Sequence, residues 1–251
     1  MTPEQAAGAA KPSVLKLGGA FIESPRSLRR ARQMGLSGWA FLVTCRGAVL
    51  GDVSAETVAA AIGLFAPEAV ADGWEAALRV TNPIKVAEVS RAECGQWGID
   101  HLSARQAERL VRLSEPVVQR ADAAGMPLFA AWRATPVAAD APEPARAAIL
   151  LHLLFEYFNG AGLIAVRAAG MTPVEALLAG PEGEALAMTY GWSPPYPPVG
   201  PLVRRRLWVE SATDRIAAPA FAALTATERG ELINLLGEAR ASVGTPAADP
   251  S

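Results

Sequence analysis

Cysteine is nearly absent. Of 251 residues only Cys45 and Cys94 carry a thiol, too few for a disulfide framework. Histidine is confined to His101 and His152, and lysine to positions 11, 16 and 85. The chain opens with the polar residues Thr2, Pro3, Glu4 and Gln5 instead of a basic segment followed by an apolar one. These absences predict a reducing, cytoplasmic location. No strongly apolar run is long: the best, residues 147–158, is interrupted by His152 and Glu156 and falls short of the roughly 20 residues of a membrane span. It predicts a core helix and no membrane. Excess positive charge is lacking too. The formal net charge is −2 and the pI about 5.8, whereas dedicated DNA-binding domains carry basic stripes and a high pI. That balance disfavours nucleic acid as a partner.

What is present is 51% hydrophobic residues, enough for one large core or two smaller ones packed together. Helix punctuation recurs more often than strand signals. Ser24-Pro25 starts a helix that Gly35 ends, Ser54 caps an alanine-rich one, and Pro67 and Pro83 open two more, the second stopped at Gly98. Ser103-Ala-Arg-Gln106, Thr172-Pro-Val-Glu175 and Thr225-Ala-Thr-Glu228 read as capping boxes, in which the hydroxyl accepts from a free amide and the third residue on reaches back. The pattern predicts an all-α protein of two packed helical halves, 24–135 and 146–243. Between them residues 136–145, with three prolines in and around them, form a linker. Residues 1–23 and 244–251 are expected to be loose. The proline-rich stretch 191–201 cannot be a helix or a central strand, because its prolines lack donors. Its two aromatics favour an ordered loop.

Several short motifs lose their meaning in context. Val14-Leu-Lys-Leu-Gly-Gly19 has the look of a phosphate-binding strand and turn, and Gly160-Ala-Gly162-Leu-Ile-Ala165 that of a dinucleotide turn. The first lacks alternating strands and helices around it, and the second follows a leucine-rich helix instead of a strand. No cofactor motif survives, so the cofactor is left unknown. His152 and Glu156 are four apart and share one face of an apolar helix. They are either a general base in a cavity, or a strut in which Glu156 pairs with one of many arginines. A metal site would need a third ligand, and none is evident. Arginines 26, 29, 30 and 32, and again 204, 205 and 206, form basic clusters that could hold phosphate, although Glu210 and Asp214 can pair with the second.

Three groups of residues resemble a family. They are Leu36-Ser-Gly-Trp39 with Cys45-Arg46-Gly47, Leu50-Gly51-Asp-Val and Phe65-Ala-Pro67-Glu-Ala-Val70; then Leu154-Phe-Glu156-Tyr-Phe-Asn-Gly-Ala-Gly162 with Ala168-Ala-Gly170; then Thr213-Asp214-Arg215-Ile-Ala-Ala-Pro219. In this order, over residues 29–241, the chain resembles the SalK-like actinobacterial helical proteins. That resemblance implies a winged helix-turn-helix, here in the C-terminal half as a degenerate, winged-helix-like bundle. The family's central histidines are replaced by Tyr157 and Gly162, and only Glu156 of that motif is kept. The helix after Thr172 is apolar with one acid, a poor surface for phosphate.

The leading expectation is therefore a small-molecule enzyme or ligand-binding protein of bacterial metabolism, with an apolar pocket between the halves. Its catalytic pair would be Glu156 and His152. Arg46, Tyr157, Asn159, Trp192, Tyr196, Asp214 and Arg215 would bind the ligand. The alternative is a degenerate winged-helix regulator or interaction module, whose apolar faces would suit a homodimer.

Overall fold

In the computed structural model, residues 1–138 and 140–244 are described. The molecule is all-α, with thirteen α-helices and no strand among the described residues. In chain order they are α1 (Pro3–Gly19), α2 (Pro25–Gln33), α3 (Gly38–Gly47), α4 (Ala55–Ile62), α5 (Pro67–Leu78), α6 (Pro83–His101), α7 (Ala104–Arg120), α8 (Pro127–Ala134), α9 (Glu143–Ala168), α10 (Pro173–Leu178), α11 (Gly183–Thr189), α12 (Val203–Phe221) and α13 (Ala226–Gly244). Ser24, Ser54, Ser103 and Thr172 cap α2, α4, α7 and α10, each hydroxyl accepting from the amide three residues on. Thr172 and Thr225 complete full capping boxes with Glu175 and Glu228. At Ser103 only the hydroxyl half of the box forms.

The first 23 residues are not loose. Thr2 and Gln5 form a capping box, Pro3 takes the first turn, and α1 runs for 17 residues. Its inner face is Ala6, Ala7, Ala10, Val14 and Leu17, all fully buried against α9, α12 and α13. Alanine gives no strong amphipathic signal, yet it lets helices approach closely. Residues 245–251, the remainder of the expected loose tail, lie outside the described residues.

α9 occupies the centre, packed on α1, α6, α7, α8 and α12. At 26 residues it is long and apolar enough to cross a membrane, but 67% of its most apolar stretch is buried in the protein, as befits a core helix. Two glycines fix its crossings. Gly18 of α1 lies where a methyl group would overlap the Leu151 carbonyl and the Phe155 side chain. Gly98 of α6 faces the Pro144 carbonyl and Ala148 in the same way. Gly98 therefore does not stop α6, which continues to His101, because the glycine's missing side chain is what allows α9 to approach.

The proline-rich stretch is ordered by its aromatics: the Trp192 indole donates to the Leu64 carbonyl at 2.9 Å and the Tyr196 hydroxyl to the Trp192 carbonyl at 2.8 Å.

Glycine substitutions separate packing from propensity. Gly98→Ala or Gly18→Ala, by overpacking a backbone contact, should lower stability by about 1–3 kcal/mol or more. Gly237→Ala, in the middle of α13 with open space around it, should raise stability by about 0.5–1 kcal/mol. Urea unfolding midpoints read both signs.

Candidate functional site

The most polar feature of the interior joins three helices. Arg46 on α3 forms a two-pronged ion pair with Glu156 on α9, Nε to Oε1 at 2.8 Å and Nη2 to Oε2 at 2.7 Å. Glu156 is 1% exposed and Arg46 6%. The partner of the expected strut is thus Arg46, 110 positions away. Burial pulls the guanidinium pKa down, but the carboxylate beside it outweighs this and holds it above the usual value. The Arg46 guanidinium also lies 5.2 Å from the Phe155 ring centre, and the Trp132 indole donates to the Arg46 carbonyl.

His152 sits one turn before Glu156. Its Nδ1 donates to the Gly18 carbonyl at 2.9 Å, tying α9 to α1 and leaving Nε2 bare. Nε2 has no hydrogen-bond partner and stands 3.9 Å from Glu156 Oε1. The ring is enclosed by Phe21, Trp132 and Phe155. Burial lowers the His152 pKa more than the Glu156 carboxylate raises it, so the ring is held neutral.

The other residues expected at a site do not converge on this cluster. Tyr157 is buried, its hydroxyl donating to the Ile216 carbonyl and its pKa pushed by burial up to about 12. Asn159 donates to the Phe155 carbonyl. Asp214 accepts from Lys11, and Arg215 is exposed on α12. Trp192 lines an apolar groove of about 440 Å³ with Phe65, Leu163 and Pro173. Asn159 borders a separate cavity of about 240 Å³ that includes Lys11 and Tyr190. Arg46, Glu156 and Asn159 together reach only a void of about 50 Å³. Both thiols are buried and raised by burial, Cys94 to about 12. They are poor nucleophiles.

Two turns share one construction. After α2, Gly35 at φ +78°, buried Leu36 and the cap Ser37 lead into α3. After α9, Gly170 at φ +66°, buried Met171 and the cap Thr172 lead into α10. In both, the apolar residue's amide reaches five residues back, Leu36 to the Ala31 carbonyl at 2.9 Å and Met171 to the Val166 carbonyl at 3.1 Å. Such a closure ends a helix on a left-handed glycine and redirects the chain at once. The second helices differ. α3 is largely buried, whereas α10 lies nearer the surface and shares an apolar cluster with α12 through Met171, Ala176, Leu202 and Val209. The Glu175 carboxyl on α10 is held low chiefly by its bonds to Thr172, with a smaller contribution from Arg205 of α12.

Removing one half of the buried pair should be costly. Glu156→Gln should destabilise by about 3–5 kcal/mol, and the double change Arg46→Met with Glu156→Leu should recover most of that loss in chemical denaturation. His152 sets a pH dependence. Its folded pKa lies below its ordinary value, so its contribution is full above about pH 6.5 and is lost as pH falls towards the lowered value. His152→Gln should flatten that part of the stability–pH curve.

Compared with known proteins, residues 7–196 match the model of a helix-turn-helix family. Among curated proteins and among solved structures nothing matches.

Proposed function

The chain belongs to the helix-turn-helix family, and from that premise we propose that it is a DNA-binding regulator. The family match, over most of the chain, carries this reading. It overturns the expectation of a small-molecule enzyme or ligand-binding protein, and with it the expectation that nucleic acid is disfavoured. The net charge of −2 misleads because it averages over all faces, while DNA meets only one.

The two glycine-closed turns support the reading, since a helix-turn-helix needs an abrupt change of direction between two packed helices. Of the two, the α9–α10 turn is the better placed, because α3 is buried. The outward residues of α10 include Thr172, Val174 and Glu175 but no cation, so phosphate contacts must come from elsewhere. Exposed arginines supply them: Arg29 and Arg32 on α2 and Arg204, Arg205 and Arg215 on α12 are among several in the described residues that have no ion pair. Arginine's fixed fork suits phosphate. The closer likeness to SalK-like actinobacterial proteins belongs to the same proposal, as do a cytoplasmic location and a homodimer on a two-fold site.

The test is fluorescence polarisation with a labelled, random-sequence duplex at increasing salt. Binding should be clear at about 50 mM salt and weaken along a straight log–log line of slope several units, the mark of counterion release. A protein that leaves the duplex free at low salt would sink the proposal.

A further inference from the structure

The helix-turn-helix leaves its second helix without a basic face, while a neighbouring helix has one. On α12, Arg204, Trp208, Ser211 and Arg215 recur at spacings of four, three and four residues, which places them on a single stripe. All four are exposed. The opposite face, Val209, Ala212, Thr213, Ala217 and Ala220, is buried. The acids of this helix lie off the stripe and are already engaged: Glu210 and Asp214 both accept from Lys11, and Arg206 pairs with Glu210. The arginines of the stripe have no acidic partner among the described residues.

Trp208 is the one exposed tryptophan of six. Trp39, Trp74, Trp132 and Trp192 each donate their indole N–H to a backbone carbonyl, and Trp97 is buried against His101. Trp208 is 45% exposed, its N–H has no partner among the described residues, and its neighbour Leu207 is 67% exposed. A large aromatic and a leucine left in water between two unpaired arginines mark a contact surface. The charge names the class of partner. At 1.5 Å per residue the guanidinium-bearing positions 204 and 215 stand about 16 Å apart along the helix. The major groove of duplex DNA is about 12 Å wide. A helix fits that groove, and arginines at the two ends of the exposed stripe would bracket Trp208 and Ser211 against it.

We propose that α12, not α10, is the helix this protein lays on duplex DNA, with Arg204 and Arg215 on the phosphates and Trp208 with Ser211 over the groove. This rests on the regulator reading above. α10 then has a packing role, burying Ala176 in the apolar cluster that contains Leu202 and Val209. The rival cluster on α2 is weaker. Arg26 is tied to Glu93, Arg30 to the Gln33 side chain, no aromatic stands among them, and the helix that follows is buried.

The test compares full-length wild type, Arg204→Ala/Arg215→Ala and Arg29→Ala/Arg32→Ala on the same labelled duplex across a salt series. All four positions are exposed and unpaired, so each variant should keep the wild-type melting temperature. The α12 variant is expected to lower the slope of log affinity against log salt by about two, one for each lost phosphate contact. The α2 variant, with the same change in net charge, should keep the wild-type slope. If wild type binds and the α12 variant binds equally well, or the loss appears in the α2 variant instead, the assignment of α12 is overturned and the regulator reading stands. If wild type itself does not bind, both fall.

Discussion

The ion pair of Arg46 and Glu156 is the constraint around which the rest is arranged. Two charges in an apolar interior are tolerable only when each meets the other in good geometry, and here both carboxylate oxygens are engaged by one guanidinium. The pair sets the distance between α3 and α9. Trp132 then fixes the backbone of the arginine from α8, and His152, one turn along α9, fixes α1 through the Gly18 carbonyl. Four helices are thereby held by one polar cluster.

Around that cluster, the molecule uses small residues for contact and large ones for filling. Gly18 and Gly98 bring α1 and α6 close to α9, and Trp74, Trp132, Tyr157 and Phe129 occupy the space that remains. The surface follows a different economy. Most of its cations are arginines, several of them unpaired, and the overall acidity of the chain conceals where they gather. Function on this reading is a matter of one face.

Helix starts were legible in the sequence because capping is local: Ser24, Ser54, Ser103 and Thr172 stand within three residues of the amides they serve. The all-α class followed from them. α1 was not legible, since its buried face is alanine and its partners α9, α12 and α13 lie far along the chain. Gly98 was read as a stop, when its lack of a side chain serves a crossing 46 residues away at Pro144. Glu156 could be recognised as buried and in need of a cation, but nothing local singles out Arg46 among the arginines. The surroundings of His152 were hidden for the same reason: burial among Phe21, Trp132 and Phe155 keeps it neutral, and the carbonyl that takes its Nδ1 proton is on α1. The functional reading failed at the level of the whole-chain charge. The arginine run at 204–206 was visible, yet the stripe formed with Trp208, Ser211 and Arg215 becomes evident only once the inner face of α12 is known.

α1 has a consequence for how the protein folds. The helices it packs against, α9, α12 and α13, all lie far from it along the sequence. Until they dock, Val14 and Leu17 have nothing to cover them. Closing this part of the core therefore waits on contacts between distant segments, which slows folding and leaves an apolar helix face open to aggregation until they form.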